Sequence, residues 1–324
     1  MAWVSTKRIG RTLRTWWMRF HQCYVPVSAS NTKLYREDAK AEFEAMNRLT
    51  PILAEAGAAY LGLLERQASD SAADNALIEA ASTAGAASRA LRIVPAPTLR
   101  SAQRQEYLSG VFSYAEALIA ANERQIIISR QLRTARAKKD LAAELLLAAA
   151  QDQLLIDLLA RENVFQHAAA DAIRTANPQY FLTRARAELN TAMIHLLERP
   201  DTASQPLPPT RLAAARRSID KAEDLLRKAS ASAPRYYDWL RRHEDPSGLA
   251  STAPMRTAMG ALKKGLEESI ATERAIASGA RALADAVDGA PSLAMRLGHG
   301  PHPHATIAGL VVRRLAPAQS VRKS

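Results

Sequence analysis

Residues 101–177, SAQRQEYLSGVFSYAEALIAANERQIIISRQLRTARAKKDLAAELLLAAAQDQLLIDLLARENVFQHAAADAIRTAN, contain no proline and one glycine, Gly110, and their apolar residues recur at helical spacing throughout. Leu108, Phe112, Ala115, Ile119 and Ile126 follow a four-three-four rhythm, with Asn122 where the next apolar residue would fall. This is a heptad-like, coiled-coil-type seam with one polar position. A single mismatch in a 3.6-residue pattern is ordinary, so Asn122 is expected at the edge of the stripe; a register-setting polar contact inside a bundle is the other reading.

From Leu141 the rhythm resumes through Leu145, Ala148, Leu155 and Leu159, flanked by Leu146, Leu147, Leu154, Ile156 and Leu158. So wide an apolar arc predicts burial by several neighbours, at the centre of a core. It is no membrane span, because Asp140, Glu144, Asp152, Asp157, Arg161 and Glu162 interrupt it well short of the ~20 residues a bilayer crossing needs. Between the halves stand Arg130, Arg133, Arg136, Lys138, Lys139 and Asp140, where the stripe fades and an Asp is available as a cap. The spacing therefore predicts two helices packed as a hairpin, in preference to a single rod of about 115 Å. The basic run is expected to be a solvated turn.

Outward from this hairpin the chain stays helical. Alanine and leucine dominate its 324 residues and aromatics make up only 5%, which favours closely packed helices over sheets. A helical pattern over 32–48 is followed by Thr50-Pro51, a cap and first-turn proline for a second helix to 67, and an alanine-rich helix reaches about 93. Asn177-Pro178 opens a helix to 198 with Phe181, Ala185, Leu189, Met193 and Leu196 inward. Another is expected over 210–230 and a last long one from Pro254 to about 288. Beyond 289 helical character fades, and 306–315 offers the one strand-like alternation. The fold class is all-α: an elongated antiparallel bundle with a long central hairpin, a basic amphipathic N-terminal helix and an irregular basic C-terminal tail. The expected units are an arm and linker at 1–31, a main bundle at 32–198, a proline-rich linker at 199–209, a helical subdomain at 210–288 and the tail at 289–324.

The formal charge of +12 is unevenly placed. Residues 1–36 carry +7 and residues 289–324, through Arg296, Arg313, Arg314, Arg322 and Lys323, carry +5, neither with an acid; residues 37–288 balance. A polyanion-binding body is disfavoured, and two basic arms on a neutral scaffold are expected. In the first arm Ile9, Leu13, Trp16, Trp17, Phe20 and Tyr24 fall on one side of a helical wheel and Lys7, Arg8, Arg11, Arg14 and Arg19 on the other. Such a helix suits an anionic membrane interface or a groove on a partner protein. An organelle-targeting presequence has the same pattern, and a first helix packed on the bundle is the plain structural reading. The candidate membrane- or partner-binding residues are Lys7, Arg8, Arg11, Leu13, Arg14, Trp16, Trp17, Arg19 and Phe20. Nucleic acid, gripped by the basic arms, is the less favoured partner, because aromatics and cations lie on opposite faces.

A second candidate patch, Arg235, Tyr236, Tyr237, Trp239, Arg241 and Arg242, interleaves aromatics with cations. The structural alternative has the aromatics anchoring a short helix while the arginines face water. His195 and Glu198 form an H-x-x-E pair, the wrong order for the E-x-x-H of di-iron bundles, and His299, His302 and His304 fit a solvated loop better than a metal site. Cys23 is the single cysteine, which excludes an intramolecular disulfide framework. No nucleophile elbow, dinucleotide fingerprint, P-loop or H-E-x-x-H helix is present. No metal, cofactor or enzymatic reaction is indicated. The sequence points to a non-enzymatic helical scaffold, intracellular and membrane-associated, with self-association expected; no standard secretory signal or transmembrane helix is read.

Overall fold

The computed structural model describes residues 32–66, 73–173, 177–198, 206–243, 253–288 and 303–315. Eight α-helices make up nearly all of them: α1 Thr32–Arg66, α2 Ala73–Arg92, α3 Ala102–Lys138, α4 Leu141–Ala172, α5 Pro178–Leu197, α6 Pro209–His243, α7 Ala253–Ala286 and α8 Pro303–Leu315. The described residues contain no strand, and no described helix is long and apolar enough to cross a membrane.

The helical hairpin forms where the basic run predicts it. Lys139 ends α3 in the left-handed region (φ 56°, ψ 33°), and the Asp140 carboxylate accepts the Ala143 N–H at 3.0 Å to cap α4. Glu144 in the first turn of α4 reaches back to Arg136 at 2.9 Å, tying the two sides of the turn. Gly110 lets the other end of the hairpin close tightly: a Cβ there would lie 2.7 Å from the Phe165 Cβ. Phe165 in turn meets the Tyr107 and Tyr114 rings, with centroids 6.4 and 5.4 Å away.

α1 runs parallel to α3 because α2 carries the chain back between them. At one end Asp38 of α1 accepts the N–H groups of Arg100 and Ser101, so the start of α3 is capped from another helix. Further along, Asn122 donates to Ala56 O and to Leu118 O, both at 2.9 Å. Asn122 is fully buried, which overturns its expected place at the edge of the stripe: it is a polar contact between α3 and α1, inside the bundle. Leu108, Ala115, Ile119 and Ile126 of the same seam are buried and Phe112 half-buried.

α5, α6 and α7 continue the antiparallel order, each packing on the helix before it. Asn177 caps α5 by accepting the Gln179 N–H, ahead of Pro178. Leu189, Met193, Leu196, Ile219, Leu226, Leu266, Ile270 and Ile276 join the core that also contains Leu49, Tyr60, Leu118 and Leu155.

Four expectations need correction. Pro51 does not begin a helix: α1 runs through it, and Thr50 donates its hydroxyl to Met46 O instead of capping. α6 likewise runs through Pro234 to His243, past the end expected near residue 230. The tail is not wholly irregular, and 306–315 is not a strand: it belongs to α8, which buries Ile307, Ala308 and Leu310 against α1 and α7. The leucine-rich beginning of α4 is not the centre of the core. No residue from 141 to 150 is buried, and burial begins only at Gln151. The reason is helix length. Asn163 faces Thr191 on antiparallel α5, so Leu197, six positions on, stands beside Asp157 and α5 stops there. By the Asn122–Ala56 pairing, the end of α1 at Arg66 stands near Leu132. Beyond those levels neither α1 nor α5 flanks α3 and α4.

Candidate functional site

The most elaborate assembly of chemistry-bearing side chains lies where α8 meets α4, α5 and α7. Along α4 the seam Leu155, Leu159 places Glu162 on the inner face, and along α7 the seam Leu266, Ile270 does the same for Glu273. α5 adds Arg186 and Asn190, and α8 carries the seam Ile307, Leu310 onward to Arg314. The Arg314 guanidinium donates through Nε and Nη2 to the two Glu273 oxygens at 2.8 and 3.0 Å. Its Nη1 donates to both Glu162 oxygens at 3.0 and 3.1 Å and to Asn190 Oδ1 at 2.7 Å. Arg186 Nε donates to Glu273 at 2.8 Å, and Gln166 donates to Glu162 at 3.3 Å.

Two buried acids thus face two arginines and the cluster is neutral. Burial raises the Glu273 carboxyl, but the adjoining Arg314 and Arg186 more than reverse this and hold it below its ordinary range. Burial opposes the charge on Arg314, and Glu162 and Glu273 outweigh it, raising its pKa. Both carboxylates are occupied by guanidinium donors, so neither is free to accept or give up a proton to a bound molecule. What it does is fix α8 in register across three other helices. Beside it a cavity with room for about one water is lined by Gly57, Tyr60, Tyr114, Leu118, Leu159 and Glu162; burial raises the pKa of both tyrosines.

A smaller buried pair, Arg104 with Glu42 at 3.4 Å, lies near the start of α3. Here burial dominates: it raises the Glu42 carboxyl, Arg104 opposes the shift and Asp38 adds to it.

The residues singled out from sequence fare differently. Lys7, Arg8, Arg11, Leu13, Arg14, Trp16, Trp17, Arg19 and Phe20 lie outside the described residues. In the second patch Arg235 is exposed, whereas Tyr236 is buried and Tyr237 half-buried, their rings 5.6 Å apart at 75°. Burial and the nearby Glu267 push the Tyr237 hydroxyl up to about 12. The two tyrosines therefore do not join Arg235 on one open surface; Trp239, Arg241 and Arg242 fall in the last turns of α6. His195 sits 3.6 Å from Glu198, whose other neighbour is Arg211, and burial with Arg211 and Arg217 lowers its pKa. His304 falls in the first turn of α8, while His299 and His302 lie outside the described residues. Among the described residues no three His, Cys, Asp or Glu side chains converge as metal ligands would.

Arg314 is the residue that sequence reasoning misplaces. Its charge counts toward a basic arm, yet it is a buried bolt that cannot touch a phosphate backbone. A signal is present: Glu162 and Glu273 each occupy an apolar seam position, and Ile307, Leu310, Val311 and Arg314 share one helical face. Compared with known proteins, the chain matches no family model, no curated protein and no solved structure.

Proposed function

We propose that the protein is a non-enzymatic helical scaffold that attaches, through the amphipathic segment around Trp16 and Trp17, to an anionic membrane surface. The observation that carries this reading is the separation of Ile9, Leu13, Trp16, Trp17, Phe20 and Tyr24 from Lys7, Arg8, Arg11, Arg14 and Arg19, with no acid before Glu37. Five cations at about 1 kcal/mol each near an anionic surface, together with two or three inserted aromatic rings, exceed the cost of ordering a short helix. The bundle supports a scaffolding role in a different way: its largest charge cluster is spent internally, on holding α8. Arg314 also leaves the set of cations that a nucleic-acid reading would use.

Three of the four tryptophans, Trp3, Trp16 and Trp17, lie in this segment, so intrinsic fluorescence tests the reading directly. With phosphatidylserine-containing vesicles a blue shift and co-sedimentation are expected, both reduced by salt and abolished by Trp16→Ser with Trp17→Ser. Equal binding to neutral vesicles, or binding only to DNA with a steep salt dependence, overturns it. An already blue-shifted spectrum that no vesicle changes would place the segment in a protein groove or on the bundle instead.

A further inference from the structure

We infer that the exposed end of the α3–α4 hairpin is a docking surface for an acidic amphipathic helix of a partner protein, an interaction independent of the membrane reading. The side of α4 that faces α5 at Asn163 carries Leu141 and Leu145 at its free end, and Leu141 is one of six large apolar side chains that stand out as exposed among the described residues. Leu141 is 49% exposed and Leu145 half-buried. The exposure is a consequence of architecture. α5 covers α4 only as far as Asp157 and α1 ends near Leu132, so about 24 Å of α4, from Leu141 to Ile156, extends past the helix that elsewhere covers it. Leu141 and Leu145 continue the α5-facing edge of the arc that is buried further along at Leu155 and Leu159. A further helix laid on α4 beyond the end of α5 would complete the packing that the rest of the hairpin already has.

The charges select the occupant. Residues 127–150 carry Arg130, Arg133, Arg136, Lys138 and Lys139 against Asp140 and Glu144, a net +3. Both acids are engaged within the hairpin, Asp140 as the α4 cap and Glu144 with Arg136. A second copy of this surface would bring +3 against +3. The chain's own N-terminal segment, also basic, is repelled in the same way, and it joins the bundle at Thr32, the opposite end of α1. A partner helix with leucines on one face and glutamates beside them matches both the apolar strip and its rim. An anionic membrane matches the charge but not the shape: the apex is Lys138-Lys139-Asp140. The leucines lie along the flank of α4, so insertion end-on would drive three charged residues in first.

The test uses the full chain and a fluorescein-labelled amphipathic peptide with leucines at heptad a and d positions and glutamates at e and g; a lysine-for-glutamate version serves as control. The expected result is saturable binding of the acidic peptide alone, weakened roughly tenfold or more by Leu141→Ser and further by Lys138→Glu with Lys139→Glu. Because these side chains are exposed, the denaturation midpoint should stay unchanged, which separates loss of docking from loss of fold. Equal binding of both peptides, or no effect of Leu141→Ser, overturns the proposal. It is also overturned if Leu141→Ser instead abolishes vesicle co-sedimentation or converts a dimer to a monomer in sedimentation analysis, outcomes that assign the surface to lipid or to a second copy.

Discussion

Arg314 and Glu273 form a two-point pair, Nε to Oε1 at 2.8 Å and Nη2 to Oε2 at 3.0 Å, that is fully enclosed by the bundle. Removing charge from one side of a buried pair leaves the other unpaired, a loss of about 3–5 kcal/mol. Arg314→Met should therefore destabilise the chain by about that amount, because both Glu162 and Glu273 lose their main donor. In hydrogen exchange, protection should fall first in α8. A loss below about 1 kcal/mol in urea denaturation, the size of an exposed ion pair, would mean that Arg314 does not occupy the buried position.

The two buried acids give opposite pH signatures. Glu273 has a folded pKa below its ordinary 4.5; its contribution is fully present above that value and is lost as pH falls through the folded pKa. Glu42 has a folded pKa above 4.5; it takes up its proton more readily when folded, so stability is regained as pH falls through that higher value. Denaturation midpoints followed from neutral pH downward should show a gain above 4.5, as Glu42 takes up its proton, and then a loss below it. Glu42→Gln should remove the gain; Glu273→Gln should lower stability at neutral pH and flatten the acid loss. An unchanged acid limb in Glu273→Gln would contradict the assignment.

Gly110 sets the spacing between α3 and α4. Gly110→Ala brings a Cβ to 2.7 Å from the Phe165 Cβ and 3.1 Å from its Cα. Neither atom is the free end of a flexible chain, so the helices must separate, at about 1–3 kcal/mol. Gly265 is also helical, but an added Cβ would meet nothing within 4 Å. It supplies the internal comparison: Gly265→Ala should stabilise by about 0.5–1 kcal/mol. Thermal denaturation of the two variants in parallel should give shifts of opposite sign.

Local signals in the sequence suffice wherever local chemistry decides structure. The fading stripe and the Asp140 cap mark the hairpin turn, and Asn177-Pro178 marks the start of α5. They fail where packing overrides local cost. A proline inside a helix loses a hydrogen bond and clashes with the preceding turn, about 3 kcal/mol or more. Yet Ala45, Leu49, Ile52 and Ala56 form an unbroken buried seam through Pro51, as Ala229, Ala233 and Tyr236 do through Pro234. Helix length relative to neighbours is equally invisible in a periodicity, so the Leu141–Ala150 arc reads as core although α5 ends short of it. Arg314 shows the same limit for charge: its sign is plain, but its depth depends on Glu162 and Glu273, 152 and 41 positions away. The N-terminal amphipathic pattern is legible as a pattern, and its residues lie outside those the structure describes.

Lys139 is the one non-glycine residue with positive φ among those described, at φ 56° and ψ 33°. Its N–H bonds to Arg136 O at 3.0 Å and the Asp140 N–H to Ala135 O at 2.9 Å, closing the end of α3. A side chain in the left-handed region is disfavoured by about 1–2 kcal/mol, while glycine's extra unfolded-state freedom offsets about 0.5–1 kcal/mol of the relief. Lys139→Gly should therefore stabilise the chain by about 0.5–1 kcal/mol, with Lys139→Asn nearer neutral. Urea denaturation of the three proteins side by side measures the order. Destabilisation by glycine would mean that the Lys139 backbone is not left-handed in solution and that α3 continues toward α4 as a straighter rod; the paired helices, and the uncovered leucines on their flank, depend on that turn.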